Sequence, residues 1–300
     1  MPTRFHSPLI VFLVCSLGIA LFSGMDAVMK LLVLAIGAFA SMLWRNLVGL
    51  GMSAALYLPT RSGWPPPRVL KIHVLRGALS AAMGFLFFWG IASVPLAQAI
   101  ALAFMAPLIA IYLASALLNE HIGPKTLLGS AIAFAGILVI FFGQSQADLR
   151  RDALIGSLAV LASAALYAVN IILMRRQSLV AKPREIAFFQ NLTVTTVFAF
   201  AAIFLGARLP SAIHWPWLVL AAALALASML LLSWAYARAQ ASYLATTEYT
   251  AFLWAALFGW LIFGEPLAVP TVCGAALIIA GCIVAARKPQ EASPALDAAS

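Results

Sequence analysis

The chain has 300 residues, 64% of them hydrophobic and 9% charged, with a mean hydropathy of +1.04. An ordinary soluble domain carries about 25% charged residues, so this composition excludes one and leaves an integral membrane protein. The net charge of +9 does not point to nucleic acid, because the basic residues lie mostly in short segments between apolar runs.

Ten apolar runs, each of a length to cross a bilayer as a helix rising 1.5 Å per residue, follow one another along the chain. They cover residues 8–30, 37–58, 72–91, 96–118, 124–142, 154–174, 185–205, 215–238, 241–263 and 267–286. The runs are continuously apolar, whereas strands of a membrane barrel would alternate with a period of two, so the expected fold is an all-α bundle of ten transmembrane helices. The first run follows Arg4 and His6 without a small-x-small cleavage site and reads as a retained helix. Residues 289–300 read as a disordered cytoplasmic tail.

Lys and Arg are distributed unequally between alternate loops. One set holds Arg4, Arg61, Arg68, Lys71, Lys125, Arg175, Arg176, Lys182, Arg184, Arg238, Arg287 and Lys288; the other holds Lys30, Arg150, Arg151 and Arg208. The positive-inside rule then places both termini in the cytoplasm, and the expected location is the cell inner membrane.

Displacing the sequence by 145 residues superimposes its halves without gaps. Leu9 falls on Leu154, Asn46 on Asn191, Trp89 on Trp234, Glu120 on Glu265, Gly129 on Gly274 and Gly136 on Gly281. The units are residues 1–145 and 146–288. Each holds five spans, an odd number, so the second would enter the membrane from the side opposite to the first. Two inverted five-helix repeats suit a secondary transporter that works by alternating access around a site near the midplane.

The stretch "RGALSAAMGFLFFWGIASVPLAQAIALAFMAPLIAIYLASALLNEHIG", residues 76–123, resembles the third and fourth helices of the EamA-type drug/metabolite transporter superfamily. The stretch "WAYARAQASYLATTEYTAFLWAALFGWLIFGEPL" is similar to the matching part of that family's second half, and "EYTAFLWA" resembles the S-adenosylmethionine or riboflavin transporter-like branch. The resemblance runs from about residue 8 to 286 and implies a central cavity lined by helices one, three, four, six, eight and nine. Many family members carry proline where this chain has Phe252, opposite Pro107.

Charges inside spans cost about 2.5–3.5 kcal/mol at a helix centre and so mark candidate sites. Four stand out: Asp26, Arg45, Arg76 and Glu248. Glu248 is expected to face the cavity and to meet a cationic group of the substrate or a proton, or else to clasp Arg76. Asp26 with Arg45 forms a candidate outer gate; Lys30, four residues further on, is an alternative partner for Asp26 that could also snorkel to water. Trp89 and Trp234, matched across the repeat, are candidates to stack on a planar substrate. Asn170 and Gln98 join the substrate-binding candidates, with interhelical hydrogen bonding as the other reading.

Glu120 and Glu265 read as caps for the helix that follows each of them. His6, His73, His121 and His214 read as solvated residues at loops or helix ends, and Cys15, Cys273 and Cys282 as small packing residues. Without a zinc-type His cluster, a nucleotide-binding loop or paired carboxylates at fixed spacing, the sequence suggests neither an enzyme nor a cofactor or metal. The partners it suggests are a small-molecule substrate and the lipid bilayer, with a homodimer possible and nucleic acid excluded. The reading is a carrier of a small organic metabolite, cofactor-like, amino-acid-like or an organocation. An amino-acid or metabolite exporter of the same superfamily and a non-transporting membrane scaffold are the alternatives.

Overall fold

The computed structural model describes residues 8–61, 63–118, 124–144, 151–178, 180–236 and 250–286. Glu120, Glu248 and the tail from residue 289 lie outside these residues. The described chain is helical throughout, in eleven segments: α1 (Pro8–Ile36), α2 (Ala38–Tyr57), α3 (Pro67–Gly90), α4 (Leu96–Ala103), α5 (Met105–Leu118), α6 (Pro124–Gln144), α7 (Arg151–Ser178), α8 (Pro183–Leu205), α9 (Trp215–Tyr236), α10 (Thr250–Phe263) and α11 (Val269–Ala286).

Helix starts and stops follow from residue chemistry. Pro67 and Pro183 open α3 and α8 at the first helical position, where the missing N–H would have had no partner. Gly37, at φ 82°, is the single residue between α1 and α2; a Cβ there would be strained. The span expected over 96–118 is divided, because α4 ends at Ala103 and α5 begins at Met105. Pro107 explains the break, since its nitrogen cannot donate to the carbonyl of Ala103. Cys282 of α11 donates its S–H to the Phe104 carbonyl at 3.3 Å, giving the break a partner from the other half of the chain.

Five helical stretches among the described residues are long and apolar enough to cross a membrane, and shorter apolar helices accompany them. Large apolar side chains crowd the outside, among them Phe142, Ile203, Phe204, Leu253 and Trp260. Apolar residues on the outer faces as well as in the core are what lipid, rather than water, requires of a helix surface.

Exchange of the two halves reproduces the largest helix contacts. α1 lies on α9 and α3 on α7; α3 meets α8 and α2 meets α9; α5 meets α7 and α10 meets α1. Three pairs of spans map onto themselves: α2 with α8, α6 with α11, and the fourth span with the ninth through α4 and α10. In the first two, the matched helices run antiparallel. Along α2 and α8, Phe39 meets Phe198, Gly49 meets Asn191 and Tyr57 stacks on Phe188. Along α6 and α11, Gly136 meets Gly274, and Gly129 meets Gly281.

The glycines permit this approach. A Cβ built on Gly136 would stand 2.6 Å from the Gly274 carbonyl oxygen and 2.8 Å from Ile278 Cγ1. Close backbone approach of small residues is the main route to helix association in lipid, where apolar burial alone supplies no drive. Replacing Gly136 with Leu is therefore expected to destabilise the fold by about 1–3 kcal/mol through overpacking, read as a lower thermal midpoint in detergent. Replacing Gly51, beside which a Cβ would meet nothing within 4 Å, is the control expected to leave it unchanged.

Candidate functional site

At the end of the bundle where α1 turns into α2, Lys30 is buried, with 4% of its surface exposed. Its Nζ forms an ion pair with Glu265 Oε1 and donates to the Val94 carbonyl at 2.6 Å. The other oxygen, Glu265 Oε2, accepts a hydrogen bond from the Leu96 N–H at 2.8 Å, and Leu96 is the first residue of α4. Glu265 is aimed there by Gly264, whose φ of 63° reverses the chain as α10 ends, with Glu265 N–H returning to the Gly259 carbonyl.

This clasp corrects two expectations. Lys30 serves neither Asp26 nor the lipid boundary, because a carboxylate and a carbonyl hold it inside. Glu265 caps α4 in the first half rather than the helix that follows it. The sequence spacing suggested a local cap, and only the tertiary fold brings residue 265 to residue 96.

At the opposite end of α3, a second polar network crosses to α7 and α8. Arg76, 5% exposed, donates from Nε to Asn170 Oδ1 at 3.2 Å and from Nη1 to Gln177 Oε1 at 2.5 Å. Ser80 also donates to Asn170 Oδ1, at 3.4 Å. Gln177 Nε2 donates to His73 Nδ1 at 2.5 Å, which makes Nδ1 the acceptor and leaves the proton on Nε2 to donate to Glu185 Oε1 at 3.0 Å. His73 also stacks on Phe189, with ring centroids 4.7 Å apart. Every donor along Arg76, Gln177, His73 and Glu185 points the same way, so neutral groups link a buried cation to a carboxylate in the first turn of α8.

His73 is thus a buried relay member, 1% exposed, and not a solvated boundary residue. Sequence reading also passed over Gln177 and Glu185. A signal was present: His73, Arg76 and Ser80 recur at three- and four-residue spacing on one helical face, and Asn170 and Gln177 stand seven apart on another. Among the described residues, no carboxylate lies within ion-pair distance of Arg76. Its expected partner Glu248 falls outside them.

The remaining candidates are dispersed. Asp26 on α1 is 1% exposed, and neither of its oxygens accepts a hydrogen bond. Arg45 on α2 is the charge whose field reaches it, yet the two form no ion pair; Arg45 Nη1 donates instead to Asn46 Oδ1 at 3.2 Å. Gln98 of α4, also buried, donates to Ser157 Oγ at 3.1 Å and ties α4 to α7. Trp89 is 44% exposed at the end of α3, while Trp234 is half-buried beside the cluster of Val11, Cys15 and Ile19 between α1 and α9. Among the described residues, no group of three or more His, Cys, Asp or Glu could hold a metal ion.

Known proteins resemble this chain. A family model described as the EamA-like transporter family matches the chain twice, over residues 9–142 and 154–287. The pseudopaline exporter CntI of Pseudomonas aeruginosa (strain UCBPP-PA14) is 27% identical over 273 residues, 89% of this chain and 92% of that protein. The riboflavin transporter of Brucella anthropi is 27% identical over 224 residues, 72% of this chain and 76% of its own length. That of Rhizobium johnstonii is 28% identical over 217 residues, 72% and 70% respectively. One crystal structure superposes with a TM-score of 0.63 at 20% identity, covering 93% of this chain and 97% of the other, and shares the fold. Two family matches that together span nearly the whole chain, on a helical membrane bundle with buried ionic networks, make this chain a member of the EamA-like transporter family within the drug/metabolite transporters.

Proposed function

We propose that this protein is a secondary active transporter that moves a small organic metabolite across the cell inner membrane by alternating access, with both termini in the cytoplasm. The observation that carries the reading is Arg76. It is a buried cation on α3, at the seam between the two halves, whose hydrogen bonds go to neutral amides on α7 rather than to a carboxylate. Such a group supplies a fixed positive charge for an anionic or hydrogen-bond-accepting part of a substrate, and neutral partners can be exchanged for one at little cost. The family relationship and the printed functions of the relatives support the same conclusion.

Alternating access needs two halves related by inversion. The antiparallel course of the repeat-equivalent pairs α2 with α8 and α6 with α11, together with five spans in each repeat, supports that relation. The charge distribution of the loops supports an orientation with the Lys30–Glu265 clasp toward the outer face and the Arg76 network in the inner half. Glu265 bridges second-half chain to α1 and α4 of the first, so the clasp holds the outer end shut in this conformation, and opening that end requires it to part. The relatives aligned over the larger share of the chain are named exporters, which favours efflux as the direction of transport.

Two outcomes test this reading. In proteoliposomes loaded with a panel of small metabolites that includes riboflavin and pseudopaline, at least one compound should cross down its gradient without ATP. Arg76→Gln should slow that flux about 10- to 100-fold, the worth of a charged hydrogen bond, with Arg76→Lys retaining part of it. If no member of the panel moves and the protein instead co-purifies with a fixed partner, a scaffold role replaces transport. For the clasp, Lys30→Met or Glu265→Gln alone should each cost stability, up to the 3–5 kcal/mol typical of a broken buried pair. The double variant should lose less than the two single losses combined, as read by thermal unfolding.

A further inference from the structure

Buried polar atoms in a membrane bundle are ordinarily matched, and those of Asp26 are not. Both carboxyl oxygens are shielded from solvent and accept no hydrogen bond. Two unmatched neighbours in sequence or field accompany them. Ser23 Oγ, three residues earlier on the same face of α1, is buried and unpartnered, and so is Nε of Arg45. Arg45 senses Asp26 electrostatically, but its one hydrogen bond turns aside to Asn46.

Among the described residues, the charged surroundings are few. α1 packs on α2, α3, α9 and α10. α2 contributes Arg45. α3 contributes His73 and Arg76, both held in the network toward α7 and α8, and Arg68 and Lys71 at its exposed start. Residues 215–236 of α9 and 250–263 of α10 contain no Asp, Glu, Lys, Arg or His; Tyr236 closes α9. On α1 itself, Lys30 lies one turn beyond Asp26 and is committed to Glu265.

An ionised carboxylate in this position, with no donor and no touching cation among the described residues, is not sustainable in the membrane interior. A bound proton removes that charge and needs no coordination shell. A metal cation would need several oxygen ligands, of which the surroundings offer Ser23 Oγ, and it would sit in the field of Arg45. We propose that Asp26 is a proton-binding site of this protein, occupied in the present conformation, and that loss of the proton draws the carboxylate into an ion pair with Arg45. The step is balanced: one proton adds to the carboxylate from the compartment to which the site opens, and the same proton leaves when the pair forms. Its use as the coupling step of transport rests on the function proposed above, and the route is short, because α1 carries both Asp26 and the Lys30 of the outer clasp.

The site can be tested without a transported compound, using the proton itself as probe. Infrared difference spectra of the purified protein in liposomes, recorded as pH is stepped, should contain the carbonyl stretch of a buried carboxylic acid. Uniform ¹³C labelling of aspartate should displace that band in the unmodified protein, and Asp26 is the one aspartate within the apolar spans. Asp26→Asn should abolish it, and Arg45→Gln should change the pH at which it disappears. A band insensitive to aspartate labelling, no such band at any pH, or a pH response unaltered by Arg45→Gln overturns the proposal even if transport is robust. Flux in the same vesicles reports separately: if a panel compound moves, the unmodified protein should follow an imposed pH gradient and Asp26→Asn should not. If nothing moves in any form, the transport reading fails while the infrared result still decides the proton site.

Discussion

A charge taken from water into hydrocarbon must be met by groups of the protein itself, since lipid offers neither donors nor counterions. That requirement organises this molecule. Lys30 is met by Glu265 and a carbonyl, Arg76 by two amides, His73 by an amide and a carboxylate. Each solution joins helices that are remote in sequence, so the charges fix how the halves meet as well as paying for their own burial. Asp26 is the exception, and exceptions of this kind in membrane interiors are where function is concentrated.

The apolar framework provides the constancy against which those networks can act. Glycines at 129, 136, 274 and 281 let α6 and α11 touch backbone to backbone. α2 and α8 meet across a seam of aromatic rings and Asn191. These self-paired contacts lie where exchange of the halves changes nothing. The charged networks lie elsewhere: one ties α1 to α4 through Glu265, and the other ties α3 to α7 and α8. The close backbone contacts and the buried polar contacts of this bundle therefore fall on different sets of helix pairs.

Much of the scaffold was legible in the sequence because it depends on composition and period. Apolar runs of membrane length marked the helices, and paired glycines pointed to the close contact of α6 with α11. Pro107 accounts for the break between α4 and α5, which a hydropathy run passes over smoothly. The networks were less legible, because a side chain's partner is a property of tertiary contact. Residues 30 and 265 meet although 235 positions separate them. His73 looked peripheral from its place near the start of a span, whereas its partners Gln177 and Glu185 come from two other helices. Arg76 and Asn170 were both singled out from the sequence, but that one holds the other had no sequence signature.

The latch formed by Lys30 and Glu265 is spelled twice in this chain. Advancing Lys30 by the repeat distance reaches Arg175, and moving Glu265 back by it reaches Glu120, so a base and an acid stand at the twin positions. Arginine at the twin position offers a planar fork of donors where lysine offers a point charge, so the two sequence pairs differ in the geometry with which a base can meet an acid.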